Sequence, residues 1–207
     1  MRHTVANDPM RVPPACPGMR IGLLGGSFNP PHAGHRHISL TALKRAGLSR
    51  VWWLVTPGNP LKDKGELAPL DGRVAAARMV ADHPRIDVTA FEATRGSAYT
   101  FDTIRFLKAG HPGVDFVFLM GADNLAGFHR WRRWREIAAM VPLLVVDRPG
   151  SSLAAVAGRA ATTLAGARLD ESDAPLLSGA RPPAWCLLTG PRVDLSSTAL
   201  RRAAKAG

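Results

Sequence analysis

A chain of 207 residues, 46% hydrophobic and 21% charged, has the size and balance of one well-buried globular domain, which argues against disorder. No apolar run approaches the roughly 20 residues that a membrane-spanning helix needs, which argues against a membrane protein. The net charge of +11, from 27 Lys and Arg against 16 Asp and Glu, is compatible with nucleic acid, an anionic surface or small polyanions. Charge alone does not choose among them.

Residues 1–19 carry proline clusters and no continuous apolar stretch. They read as a floppy, disordered tail rather than a signal peptide, with Met19 standing where a natural start would fall. The domain itself is expected over residues 20–207. Cys16 and Cys186 offer neither a disulfide framework nor a metal-binding spacing, so a reducing, cytoplasmic setting is expected.

Residues 20–24 (Arg-Ile-Gly-Leu-Leu) form an apolar run stopped by Gly25-Gly26, as in a buried parallel strand. A helix is expected over 35–46, with Gly47 as its stop. Residues 51–55 make a second strand, ended by Thr56-Pro57-Gly58. Helices follow over 70–81 and 100–109, with a brief strand at 86–88 between them. Residues 115–120 are another buried strand, running into Gly121. A short helix at 134–140, a strand at 142–146 and an Ala-rich helix across 151–168 come next. An irregular connection over 169–183 leads to a last strand at 185–188 and a closing helix at 196–204. Five or six strands alternating with helices define an α/β fold with a doubly wound parallel sheet in a single domain. Such sheets bind ligands outside the carboxyl ends of their strands, at the switch point. Chemistry is therefore expected in the loops after Leu24, Val55, Met120 and Val146.

The first of these loops reads Gly25-Gly26-Ser27-Phe28-Asn29-Pro30-Pro31-His32-Ala33-Gly34-His35. The double glycine allows a sharp turn and lets a phosphate approach backbone amides with no Cβ in the way. Pro30 and Pro31 stiffen the approach to the helix, whose first position suits proline and whose free amides favour an anion. His32 and His35, three apart, share one face of the first turn. Two imidazoles and a helix start then converge on one point, a place suited to the α-phosphate of a nucleotide under in-line attack. With 7 His and 20 Gly in the chain, an H-x-G-H would arise by chance in about 2% of shuffles. Its place behind the first strand makes it more specific than that. A zinc site is a poor reading of two histidines three apart with no third ligand nearby, and no metal ligand is assigned.

The loop resembles the HxGH signature of the nucleotidylyltransferase superfamily, which implies a Rossmann-like nucleotidylyltransferase fold. A second superfamily mark, I-S-S-T-x-[IL]-R, resembles Leu195-Ser196-Ser197-Thr198-Ala199-Leu200-Arg201. By residue type, Asp194–Thr198 would cap a helix, with hydroxyls and amides open to phosphate and Arg201 in the following turn. The resemblance implies that ATP is held by Gly25, Gly26, Ser27, Phe28, His35, Gly121, Asp123, Ser196, Ser197, Thr198 and Arg201. His32, His35, Lys62 and Arg201 would carry catalysis.

Over residues 20–207 the chain most resembles the bacterial nicotinate mononucleotide adenylyltransferases. Asn59-Pro60-Leu61-Lys62, Ser97-Ala98-Tyr99-Thr100-Phe101-Asp102-Thr103, Gly121-Ala122-Asp123 and Trp131 carry that resemblance. It implies that the mononucleotide is held by Asn59, Lys62, Tyr99, Thr100, Asp102 and Trp131. An indole face suits an electron-poor pyridinium, and amides near Tyr99 and Thr100 would favour a carboxylate over an amide. Here Asn29 stands where the family more often has Asp, and Ala98 is inserted into the S-Y-T segment. The implied reaction is ATP plus nicotinate mononucleotide to nicotinate adenine dinucleotide plus pyrophosphate, with Mg²⁺ carried by ATP. Phosphopantetheine or nicotinamide mononucleotide as acceptor stays open. So does a basic binding module built on His129-Arg130-Trp131-Arg132-Arg133-Trp134-Arg135, although nucleic acid is not the expected partner and neither is a membrane. A homo-oligomer is compatible with the sequence, which holds nothing decisive on the point.

Overall fold

Unbroken apolar runs become central strands, because both of their faces must be covered. In the computed structural model, which describes residues 8–58, 67–96, 99–147 and 155–190, β1 (Arg20–Gly26), β2 (Arg50–Val55) and β4 (Asp115–Gly121) are such runs. With β3 (Ile86–Thr89), β5 (Leu143–Val146), β6 (Arg168–Leu169) and β7 (Trp185–Leu188) they form a seven-stranded sheet in the order β3-β2-β1-β4-β5-β7-β6. Every pairing is parallel. The order turns at β1 and β4, which are neighbours in space although β2 and β3 lie between them in sequence. Their carboxyl ends frame the switch point.

Alternate residues of each strand feed two cores. Ile21, Leu23, Trp52, Leu54, Phe116, Phe118 and Met120 pack on one face of the sheet, while Leu24, Val51, Trp53, Val55, Val117 and Leu119 pack on the other. The first face is covered by α3 (Thr100–Gly110), α4 (Ala122–Gly127), α5 (Trp134–Met140) and α6 (Arg159–Thr163), and the second by α1 (Ala33–Arg45) and α2 (Leu70–Ala81). Gly22 permits a close approach of its neighbours to the sheet. A Cβ there would lie 2.8 Å from the side chains of both Leu48 and Leu119. Gly47, at φ +59°, follows the C-cap Ala46 and stops α1 where the sequence expects a stop.

Three expectations change. Residues 8–19, expected to be loose, lie against the domain. Pro9 O accepts from Ala90 N (2.6 Å) and Thr89 Oγ1 (3.0 Å), Arg11 O accepts from Thr89 Oγ1 (2.8 Å), and Gly18 N donates to Gly113 O (2.7 Å). Val12 and Ala15 pack on the core and Pro13 is buried, so scattered apolar residues with no periodicity still find a groove. The Ala-rich stretch is not one helix. In its described part Gly158 caps the five-residue α6 and Gly166 sits in a separate 3-10 turn at Ala165–Ala167, each glycine weakening helix continuation. Residues 171–179 of the expected irregular connection form a 3-10 run, opened by the Asp170 carboxylate accepting from Ser172 N. The expected closing helix at 196–204 lies outside the described residues.

Candidate active site

The loop after β1 differs from its expected geometry before it reaches the histidines. Gly25 and Gly26 are the last two residues of β1 and neither has a positive φ; the sharp turn is at Phe28, φ +46°. A phenylalanine there is strained by about 1–3 kcal/mol and is held by its surroundings. Its ring is 1% exposed, stacks on Trp53 (4.9 Å between centroids, 16° between planes) and leans on His35 at 4.7 Å. A Cβ on Gly25 or Gly26 would meet the protein only at ordinary contact distance, so the chain's own packing does not demand glycine at either position.

Pro31 likewise precedes the helix instead of opening it, because His32 is the N-cap of α1. His32 Nδ1 accepts from Gly34 N at 3.1 Å, and His35 Nδ1 accepts from His32 N at 3.2 Å. Two imidazoles thus perform the reciprocal capping usually left to Ser and Glu. A backbone N–H can only donate, so each neutral ring carries its proton on Nε2. The ring centroids are 3.9 Å apart, as the three-residue spacing predicts. Beneath them, Trp53 Nε1 donates to Ser39 Oγ (2.7 Å) and Ser39 Oγ donates to His35 O (2.9 Å), pinning the first turn of α1 to β2. The arrangement presents two Nε2–H donors beside a helix start, a geometry suited to an anion that gains charge.

Gly121 is both the last residue of β4 and the N-cap of α4, and Asp123 is exposed in that helix's first turn. β4 pairs directly with β1, so both stand at the switch point with the histidine loop. Tyr99 is the N-cap of α3; Thr100 and Asp102 lie in its first turn, with Asp102 contacting Arg105 at 3.5 Å. Trp131 is half-buried, held by T-shaped contacts to Phe118 (5.9 Å) and Phe128 (5.4 Å). The next residue, Arg132, lies with its guanidinium 4.5 Å over the Tyr99 ring. The Tyr99 and Trp131 segments therefore share one corner. In the Arg/Trp stretch Trp134 is 7% exposed, and Arg133 lies over Phe101 at 3.6 Å, so these aromatics bind the fold together. Asn59, Lys62, Ser196, Ser197, Thr198 and Arg201 lie outside the described residues.

Two further buried charged residues, Arg73 and Glu92, flank these segments without standing out in the sequence. Arg73, in α2, is 3% exposed and donates to the carbonyls of Ser27, Thr56, Pro57 and Ala68. Its sequence signal was an arginine in line with Ala77 and Ala81 at four-residue spacing, on the helix's buried stripe. Glu92, 4% exposed, accepts from Thr103 Oγ1, while its Oε2 is buried without a partner among the described residues. Burial pushes its carboxyl up to about 7, opposed by the Thr103 hydrogen bond. Glu92 precedes Tyr99 and Thr103 follows it, so the pair closes the base of that segment. No periodic pattern marks this glutamate.

The Cytidylyltransferase-like family matches residues 23–203. A probable nicotinate-nucleotide adenylyltransferase of Methylorubrum extorquens is 61% identical over 183 residues, covering 88% of this chain and 99% of its own length. The chain belongs to the nicotinate-nucleotide adenylyltransferase family. A second relative in this family, from Mesorhizobium japonicum, is 53% identical over 194 residues, covering 94% of this chain and all of its own. The nicotinic acid mononucleotide adenylyltransferase of Plasmodium falciparum, solved in complex with NaAD, superposes with a TM-score of 0.66. It covers 89% of this chain and 83% of its own at 17% identity, a likeness of fold. Among the described residues no helix is long and apolar enough to cross a membrane, and no group of three or more His, Cys, Asp or Glu could hold a metal ion.

Proposed function

We propose that the chain transfers the adenylyl group of ATP to nicotinate mononucleotide, yielding nicotinate adenine dinucleotide and pyrophosphate. The observation that carries the reading is the His32/His35 pair. Both rings are fixed by backbone donors so that Nε2–H is the donor, and both stand at the N-terminus of α1 beside the switch point. The mononucleotide phosphate oxygen attacks the α-phosphorus in line. A new P–O bond forms, the bond to the β-phosphate oxygen breaks, and pyrophosphate leaves with that electron pair. Negative charge grows on the α-phosphate oxygens, where the two imidazoles and the α1 amides donate. Gly25 and Gly26 let the phosphates lie against the end of β1. ATP enters as its Mg²⁺ complex, the ion held by triphosphate oxygens and water as part of the substrate.

The acceptor lies on the other side of the switch point. Tyr99 and Thr100 offer the first amides of α3 to the nicotinate carboxylate, and Trp131 offers an indole to the pyridinium ring. Asn59 and Lys62 complete the acceptor side, and Ser196, Ser197, Thr198 and Arg201 receive the β- and γ-phosphates. Ser27, Phe28, Gly121 and Asp123 line the ATP side, and Asp102 braces the α3 start. The setting is cytoplasmic, supported by the free thiols of Cys16 and Cys186.

The test is Mg²⁺-dependent pyrophosphate release from ATP with nicotinate mononucleotide, nicotinamide mononucleotide or phosphopantetheine. Release at least tenfold faster with the nicotinate substrate is expected, falling roughly 10²–10³-fold in His35→Ala with folding intact. No release with any acceptor overturns the reading.

A further inference from the structure

Arg73 is a buried cation that no carboxylate pairs with among the described residues. Burial lowers its pKa, and its hydrogen-bond partners among the described residues are all backbone carbonyls. Those carbonyls belong to three separate pieces of chain. One terminal nitrogen donates to Ser27 O (2.7 Å) and Thr56 O (2.8 Å), Nε donates to Ala68 O (2.8 Å), and the other terminal nitrogen reaches Pro57 O at 3.4 Å. Ser27 opens the histidine loop, Thr56 and Pro57 end β2, and Ala68 precedes α2. Asn29 repeats the link from the same loop, its Oδ1 accepting from Ala68 N at 3.4 Å.

We infer that Arg73 is a positioning residue for adenylyl transfer, its planar guanidinium setting the distance between the histidine loop and the carboxyl end of β2. The inference rests on the proposed reaction, in which ATP is held by the first of these and the acceptor lies beyond the second. In-line attack needs the two substrates aligned, and a misplacement of about 1 Å can cost about 10²-fold in rate. Lysine keeps the charge, yet its single nitrogen cannot reproduce a fork that spans four carbonyls. Arg73→Lys therefore separates geometry from charge.

Arg73→Lys and Arg73→Gln are compared with wild type for kcat, for KM toward MgATP and nicotinate mononucleotide, and for thermal melting. The expected result is a kcat at least tenfold lower in both variants, with KM for MgATP within threefold of wild type and both folded at 25 °C. A kcat within twofold of wild type in Arg73→Lys overturns the inference, as does a loss confined to KM. Unfolding of both variants at 25 °C also overturns it, since the residue would then only maintain the fold. Wild type inert toward nicotinate mononucleotide would be the failure of the reaction reading instead, so the two failures are told apart.

Discussion

Glu92 shows how one buried carboxyl can make the stability of the whole molecule depend on pH. Its pKa rises from 4.5 to about 7 because burial disfavours the charged form more than the Thr103 hydroxyl favours it. The folded state therefore binds this proton more tightly than the unfolded chain does. The resulting stability is complete below about pH 4.5, declines above that, and is lost as pH rises through 7. A shift of this size corresponds to about 3 kcal/mol. Glu92→Gln keeps an acceptor for Thr103 and removes the titration. Melting curves from pH 4.5 to 8 should show wild type losing several degrees relative to the variant as pH rises, at about 2–4 °C per kcal/mol for a domain of this size. Parallel curves would mean that Glu92 is not the buried titrating group. Because the pair closes the base of the Tyr99 segment, this residue would link stability to the acceptor side of the proposed reaction.

At the scale of elements, α1 joins two tasks in one residue under the proposed reaction, since His32 caps the helix and would also supply a donor to the α-phosphate. The tasks are separable. Asparagine is a strong N-cap without an imidazole, so His32→Asn should melt within about 2 °C of wild type while turnover falls roughly 10²-fold or more. His32→Ala should lose the same turnover and a further ~1 kcal/mol of stability. Equal turnover in wild type and His32→Asn would remove the imidazole from the chemistry. The histidine spacing was legible in sequence because a helix puts residues three apart on one face. The identity of the protonated nitrogen was not, because it depends on which ring atom meets a backbone N–H. Likewise β1, β2, β4, β5 and β7 announced themselves as apolar runs closed by Gly, Pro or polar residues. The two-residue β6 and the 3-10 run at Glu171–Gly179 carry no period long enough to read. The turn fell on Phe28 instead of the glycines because ring stacking on Trp53 and His35, a tertiary contact, outweighs local preference.

At the scale of the molecule, the segment ahead of β1 behaves as a strap. It runs from the carboxyl end of β3, where Pro9 and Arg11 meet Thr89 and Ala90, to the approach to β4, where Gly18 meets Gly113. On the way it lays Val12 and Ala15 on the core face that also holds Phe91, Phe101 and Ile104, and buries Pro13. Phe91 adjoins Glu92, so the strap supports the same 3-10 turn that the Glu92–Thr103 pair ties to α3. A chain begun at Met19 would expose that apolar surface to water and leave Thr89 and Ala90 to solvent. The lost burial corresponds to about 2–3 kcal/mol, which is about 5–10 °C in melting temperature for a domain of this size. The damage should be lopsided, because the strap's hydrogen bonds go to Thr89, Ala90 and Gly113, on the side of the sheet where the proposed acceptor lies, and none of them goes to α1 among the described residues. In the shortened chain KM for nicotinate mononucleotide should rise several-fold while KM for MgATP stays within twofold. A melting temperature within 2 °C of the full chain would refute the strap's structural role. A rise in both KM values together would refute its link to the acceptor side.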